Sequence, residues 1–435
     1  MRKALAVGVF GVVLLAVLIT NPARAETTEE MLIRLLIKKG FLTEQEVQSL
    51  QKEAEATAPA VSQPAPRELV DTLRDEVREE LRRRDEESIA MSLALEGEGR
   101  WRARRDVGNR NLGSTSDLFL RRALLELEAK VTDFALARLA LTSEWKGAST
   151  TDQGQAVGDS VTIDEGTIRL SKEGSPLYAV VGKQTQPFGA FFSHLVTDPM
   201  SQDAYEVKQV GATFGFTPGI WGADLSMTVY KGEEQSTHFF ESGVFDSTAV
   251  VRSTSVGLRQ ETDNLNSFIL TSSFSPVKDL ALGISYLSEP GDGRRNQTGA
   301  AWAQYTLGRL TAETEFAAAL SRERYVLQST GERFGEPFKE KMLILGLSHK
   351  PTTALELATR YERLWDGGLA DAAETWTARN RLSLGAGYTL YEREDVGVRL
   401  LGEYRFTDYR RGGSVREIAA ANQNDVFMKL AVRYK

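Results

Sequence analysis

From residue 89 to the end of the chain, apolar and polar side chains alternate with a period of two. Leu125, Leu127, Ala129 and Val131 are interleaved with Glu126, Glu128 and Lys130; after Thr132-Asp133 the series resumes with Ala135, Ala137, Leu139 and Leu141. The same alternation runs through 221–230, 310–318, 381–390 and 428–434. A strand points successive side chains to opposite faces, so each segment has one apolar and one charged face. A soluble antiparallel sandwich would give the same pattern, so alternation predicts strands but leaves the architecture open.

Loop lengths narrow the choice. Short connections fall at Thr132-Asp133, 172–176, 217–222, 275–279, 307–310, 350–354 and 392–396. Longer, polar, glycine-rich ones fall at 105–116, 147–160, 187–204, 232–263, 289–297, 323–338, 366–376 and 408–424. The two kinds alternate strictly when 232–263 is one loop, as in an outer-membrane barrel with short periplasmic turns and long external loops. The expected fold is an all-β membrane protein: a transmembrane, antiparallel β-barrel of about 16 strands over 89–435, with both ends periplasmic. The segment STSVGLRQETDN, 253–264, predicts a β-excursion in the fourth external loop; read as two more barrel strands it would raise the number to 18.

The first 88 residues carry a different pattern. Arg2 and Lys3 precede an apolar run from Ala4 to Ile19 and an Ala-x-Ala site ending at Ala25, which predicts a cleaved signal peptide over 1–25. Residues 26–56 read as an α-helical hairpin, with Gly40-Phe41 as a helix stop and Thr43 with Glu46 as a capping box. A Pro/Ala-rich linker over 57–66 leads to a charged amphipathic helix over 67–88. Its narrow stripe of Val70, Leu73, Val77 and Leu81 suits a short coiled coil, docking on a partner, or a solvated spacer. On the barrel reading this helical segment lies in the periplasm, within reach of peptidoglycan or a periplasmic partner.

Composition removes several classes of chemistry. The chain has 435 residues, no cysteine and three histidines, His194, His238 and His349, which leaves no thiolate ligand, no thiol nucleophile and no histidine cluster. No metal or other cofactor is expected. Residues 89–435 hold 40 basic and 44 acidic side chains, a balance that gives no support for nucleic-acid binding.

In such a barrel the charged face lines the lumen. Alternation assigns to it Arg122, Glu126, Glu128, Arg138, Arg169, Glu313, Glu315, Arg360, Arg379, Arg381, Arg399 and Arg405, together with Lys130, Glu356, Glu403, Lys429 and Arg433. Basic side chains gather on the last strands, and a transverse field between them and the acidic ones would orient polar or mixed-charge solutes.

One segment breaks the strand pattern, GKQTQPFGAFFSHLVTDPMSQDAYE at 182–206. Pro187 and Pro199 cannot donate to a ladder, Gly189 permits a sharp turn, and Phe188, Phe191 and Phe192 are more apolar than an exposed loop requires. Because the lumen of a 16-stranded barrel is too wide to select by itself, a third external loop folded inward would set a constriction, with Asp198 among its residues.

The segment resembles the G-K-x-x-x-P-F-G element and following D-P-hydrophobic step of the LbtU-family siderophore porins, at Gly182, Lys183, Pro187, Phe188, Gly189, Asp198, Pro199 and Glu206. The resemblance implies passage of a ferric siderophore through an unplugged outer-membrane barrel. The LLIKKGFLTEQE element at 35–46 is also similar to amino-terminal hairpins of phosphate-selective porins, which keeps a phosphate or anion-selective channel as an alternative.

The function expected is therefore a non-enzymatic, water-filled channel for small polar solutes, in contact with outer-membrane lipid and with the capacity to self-associate as a homo-oligomer. Two other classes stay open. A barrel hydrolase would need more than Ser193-His194, neighbours that a strand would point apart. A structural anchor would grip the cell wall through 26–88.

Overall fold

The period-two segments fold as antiparallel strands that each pair with a neighbour on both sides. The structure, a computed structural model, describes residues 89–105, 111–144, 161–231, 250–252, 265–291, 294–327, 336–369, 376–411 and 422–434. The expected signal peptide, helical hairpin, linker and amphipathic helix lie outside the described residues.

In chain order the strands are β1 (Ala90–Arg105), β2 (Asn111–Thr132), β3 (Ala135–Glu144), β4 (Thr162–Ser171), β5 (Leu177–Thr185), β6 (Lys208–Phe216), β7 (Asp224–Tyr230), β8 (Val250–Arg252) and β9 (Ser267–Val277). They continue as β10 (Leu280–Glu289), β11 (Asn296–Leu307), β12 (Leu310–Ser321), β13 (Tyr325–Leu327), β14 (Lys341–His349), β15 (Leu355–Trp365), β16 (Trp376–Glu392), β17 (Val396–Arg411) and β18 (Asn422–Tyr434). One helix, α1 (Met200–Tyr205), sits between β5 and β6.

Sixteen of these strands form a closed barrel in which sequence neighbours pair and β1 closes on β18. Closure runs from Leu93 opposite Tyr434 to Arg105 opposite Asn422, so neither terminal strand is left as an edge. The two remaining strands, β8 and β13, pair with each other outside the barrel. The fourth loop thus contributes a short strand at 250–252 that pairs with one from the sixth loop, while the segment expected to form the excursion, 253–264, lies outside the described residues.

The burial pattern is inverted relative to a soluble protein. Leu118, Phe214, Ile284, Leu345 and Leu384 are exposed on the outer face, whereas Glu98, Glu315, Glu362 and Asp425 are buried inside. Such a wall suits lipid outside and polar groups inside. The short turns fall where loop length predicts them. Two details differ: β1 and β2 extend the first hairpin as far as the Arg105–Asn111 pair, shortening the expected 105–116 loop, and Trp221 lies in a turn at φ 52° rather than at the start of β7.

Candidate functional site

Residues 186–207 turn into the barrel and cross it. Phe188, Met200, Ala204, Tyr205 and Val207 share one buried apolar cluster with side chains of β7, β9, β10, β12, β14 and β15, among them Tyr230, Ile269 and Met342. Val196 packs against Leu401 of β17 and Phe427 of β18. A connection between β5 and β6 reaches the strands opposite only through the interior. Each fully buried apolar side chain of this size contributes about 1.5–3 kcal/mol, so the segment has a substantial apolar seat.

Irregular backbone in that seat needs hydrogen-bond partners, and wall glutamates supply them. Ala190 N and Phe191 N donate to the two oxygens of Glu315, each at 3.2 Å, and Ser201 Oγ donates to the same carboxylate at 3.1 Å. Thr197 donates through N and Oγ1 to Glu403, both at 2.7 Å. Met200 N, a free donor at the start of α1, reaches Glu362 Oε1 at 2.6 Å. Arg360 closes the other polarity by donating to the carbonyl oxygens of Thr197 at 3.0 Å and Asp198 at 2.9 Å.

The residues expected to form the constriction all lie in this segment. Phe188 is buried edge-on against Tyr205, with ring centroids 5.8 Å apart. Phe192 meets Trp302 in a T-shaped contact at 5.7 Å. The Pro187 carbonyl accepts a bond from Thr271 Oγ1. Gly189 has φ +73°, and a Cβ there would stand 2.4 Å from Glu315 Oε1, so the turn that presents the next two amides to Glu315 requires glycine. Phe191 is also left-handed, at φ 48°. Pro199 is the N-cap of α1, a single helical turn that the proline-rich sequence did not lead us to expect.

His194 is held between two carboxylates. Its Nε2 lies 2.8 Å from Glu313 and its Nδ1 2.7 Å from Glu356. The Glu313 hydrogen bond, reinforced by Glu356, raises the histidine pKa above its usual range despite partial burial. Ser193 Oγ instead approaches the Thr197 carbonyl at 3.5 Å, so Ser193 and His194 do not form a nucleophile–base pair.

The wall charges are paired, and two bulges decide how. Between Glu96 and Gly97 the β1–β2 register slips so that Arg121 is the extra residue. Arg121 reaches Glu98 at 3.2 Å and Asp198 at 3.7 Å, while its neighbour Arg122 reaches Asp164 at 3.3 Å. A matching slip at Ala140/Leu141 makes Asp164 the extra residue on β4. Asp164 then bonds Lys208 as well as Arg122, and adjacent Glu165 bonds Arg138. A bulge puts two successive side chains on one face, which strict alternation forbids.

The other expected lumen residues differ in what they meet. Glu126 and Glu128 lie beside Arg138, the former at 2.5 Å and the latter directly across the ladder. Arg169 stacks on the Tyr178 ring at 4.6 Å. Arg381, Arg399 and Arg405 bind Asp203, Glu356 and Asp425. Glu313, Glu315 and Arg360 lie beneath the inward segment and anchor it, so they do not form a free face opposite the arginines. Arg379 is a correction. A bulge between Ala378 and Asn380 sets it with Asp408 on the face of Tyr404 and Phe406, the outer face of the barrel.

Sequence reasoning missed Arg121, Glu362, Glu98 and Asp425. Glu362 continues the Glu356, Ala358, Arg360 series at period two and was legible there. For Arg121 the available signal was the Arg121-Arg122 doublet itself, improbable in a strictly alternating membrane strand.

In several wall pairs the arginine is the more exposed partner. Arg138 has a side-chain exposure of 44% against 20% for Glu165, Arg399 39% against 9% for Glu356, and Arg405 14% against none for Asp425. In these pairs the carboxylate is sunk and the guanidinium head is presented, whereas Arg360 and Arg381 are buried. The carboxylates of the inward segment reverse this, Asp198 at 41% against 20% for Arg121 and Asp203 at 28% against 5% for Arg381.

The closed barrel has solved counterparts. The Salmonella typhi OmpF complex with daunomycin is similar over 80% of this chain and 97% of that chain, at 10% identity and a TM-score of 0.54. The outer membrane channel DcaP of Acinetobacter baumannii is similar over 80% and 96%, at 11% identity and a TM-score of 0.52. At these identities the likeness is one of fold, that of outer-membrane porins. No protein-family model matches the sequence, and comparison with curated proteins finds no similar chain.

Proposed function

We propose that this chain is an outer-membrane porin, a passive channel for small polar solutes whose constriction is set by residues 187–204. The observation that carries the reading is the anchoring of that segment by Glu315, Glu362, Glu403 and Arg360 inside a closed barrel with an apolar exterior. A tethered segment narrows a lumen permanently, which a mobile external loop does not. Reconstitution of the purified protein into a planar bilayer tests it: discrete ohmic steps are expected, and silence at saturating protein would contradict it.

The solute reading favours anionic groups, supported by the pairs of Arg138, Arg399 and Arg405, in each of which the guanidinium is more exposed than its carboxylate. The reversal potential in a KCl gradient should have the sign of anion preference. Passage of ferric siderophores is a finer reading, supported by the resemblance at 182–206; its test is competition of the ion current by a ferric siderophore. Residues 26–88 would face the periplasm, where the Val70–Leu81 stripe offers a surface for self-association, a partner or peptidoglycan.

A further inference from the structure

The outer face of the barrel is apolar along most of its strands, yet β14 to β16 carry cations there. On β14 the outward positions are Lys341, Leu343, Leu345 and Leu347; on β15 they are Leu357, Thr359, Tyr361, Arg363 and Trp365. Lys341 stands opposite Trp365, and Arg363 stands opposite Leu343 on one side and Asn380 on the other. The bulge on β16 adds Arg379 beside Asn380.

Lys341 and Arg363 are held but not neutralised. The Arg363 guanidinium lies 5.0 Å from the centroid of the Trp365 ring, and its Nε has no hydrogen-bond partner. Tyr361 Oη donates to Asn380 Oδ1 at 3.0 Å. Among the described residues neither Lys341 nor Arg363 has a carboxylate partner. Arg379 is bound to Asp408, at 2.9 Å through Nε and 2.5 Å through Nη2, and Asn380 Nδ2 donates to the same carboxylate at 3.0 Å. The patch therefore has three cations and one carboxylate.

Depth explains why cations are tolerated. From Leu355, beside a short turn, to Arg363 the tilted strand climbs about 20 Å, close to the roughly 25 Å of an outer-membrane apolar band. A lipid-facing Arg or Lys costs about 2–4 kcal/mol at the midplane and about 0–1 near the interface. Aromatic side chains such as Trp365 and Tyr361 are at home at that level. The long-loop end of the barrel is the external one on the reading above, so the patch would lie among outer-leaflet headgroups.

We propose that Lys341, Arg363 and the Arg379–Asp408 pair form a seat for the phosphate headgroup of an anionic outer-leaflet lipid. Charge complementarity selects the occupant. A net-positive patch at headgroup depth meets lipid phosphate, guanidinium donors suit phosphate oxygens, and a lysine adds a point charge. The inference depends on the membrane orientation given under Proposed function, and its test reads lipid binding rather than conduction.

The full-length protein, refolded in detergent, is titrated with diphosphoryl lipid A and with the same lipid after dephosphorylation, and bound adducts are counted by native mass spectrometry. The expected result is retention of the phosphorylated lipid alone, with affinity at least about tenfold weaker in Lys341→Gln/Arg363→Gln and unchanged single-channel conductance. Should the double variant not fold, Lys341→Gln alone, at an exposed position, should lower affinity about threefold or more. Equal affinity in the variants, or equal retention of dephosphorylated lipid, would overturn the proposal. So would a changed oligomeric state with lipid binding intact, which would make a second copy the occupant. A wild-type protein that holds lipid A but does not conduct would instead count against the porin reading.

Discussion

Arg121 on β2 and Asp198 in the inward segment approach to 3.7 Å, joining the first hairpin of the barrel to a segment whose other anchors lie on β7 to β18. The contact also joins the least buried carboxylate of the segment's ion pairs to an arginine that only a bulge turns inward.

Both partners are partly exposed, so the pair should add less than about 1 kcal/mol to stability. Its effect should appear in ion preference. Asp198→Asn removes a lumen carboxylate and should shift the reversal potential toward anions, whereas Arg121→Gln should shift it toward cations. Equal reversal potentials in both variants would remove this pair from the conduction path.

Glu315→Gln tests the anchoring. The carboxylate accepts from Ala190 N, Phe191 N and Ser201 Oγ, and an amide of the same shape accepts through one oxygen only. Hydrogen bonds to a charged group contribute about 1.5–3 kcal/mol each, so the segment should loosen while the barrel persists. Brief openings to higher conductance and faster proteolysis within 187–204 are expected. A quiet channel with an intact segment would show that the apolar seat alone suffices.

Gly189→Ala should act on the same turn by a different route. The left-handed backbone costs a non-glycine residue about 1 kcal/mol, and the added Cβ would displace Glu315 as well. The predicted phenotype matches that of Glu315→Gln, and the double variant should be little worse than either single one, which a mutant cycle on noise amplitude can measure. Full additivity would separate the two residues.

The pH dependence follows from His194. Its pKa is raised in the folded protein, so the stabilisation from Glu313 and Glu356 is fully present below the unfolded value of about 6.5 and is lost as pH rises through the raised value. Between pH 6 and 9 the segment should therefore become noisier in current recordings, and His194→Gln should flatten that dependence. Noise that grows toward pH 6, or an unchanged profile in the variant, would contradict the assignment.

Much of this was legible in the residues. Period two with alternating loop lengths is enough for a 16-strand barrel, because a slip of one residue would move every apolar side chain from lipid to lumen. The same alternation placed Glu315, Arg360 and Arg405 inside. What it could not see were the bulges, since each depends on the partner strand's register: Arg121 is turned in by one, Arg379 out by another. Nor could it tell a carboxylate facing solute from one facing loop amides. Glu313 and Glu315 read as pore charges until the backbone of 189–194 is laid against them.

The central claim is that residues 187–204 narrow an open channel, and single-channel conductance of the wild type beside a deletion of Phe188 to Asp203 tests it most directly. The account predicts steady ohmic steps from both, larger in the deletion and with weaker ion preference. Steps of equal size would take the constriction away from this segment, and silence from both refolded proteins would contradict the channel itself.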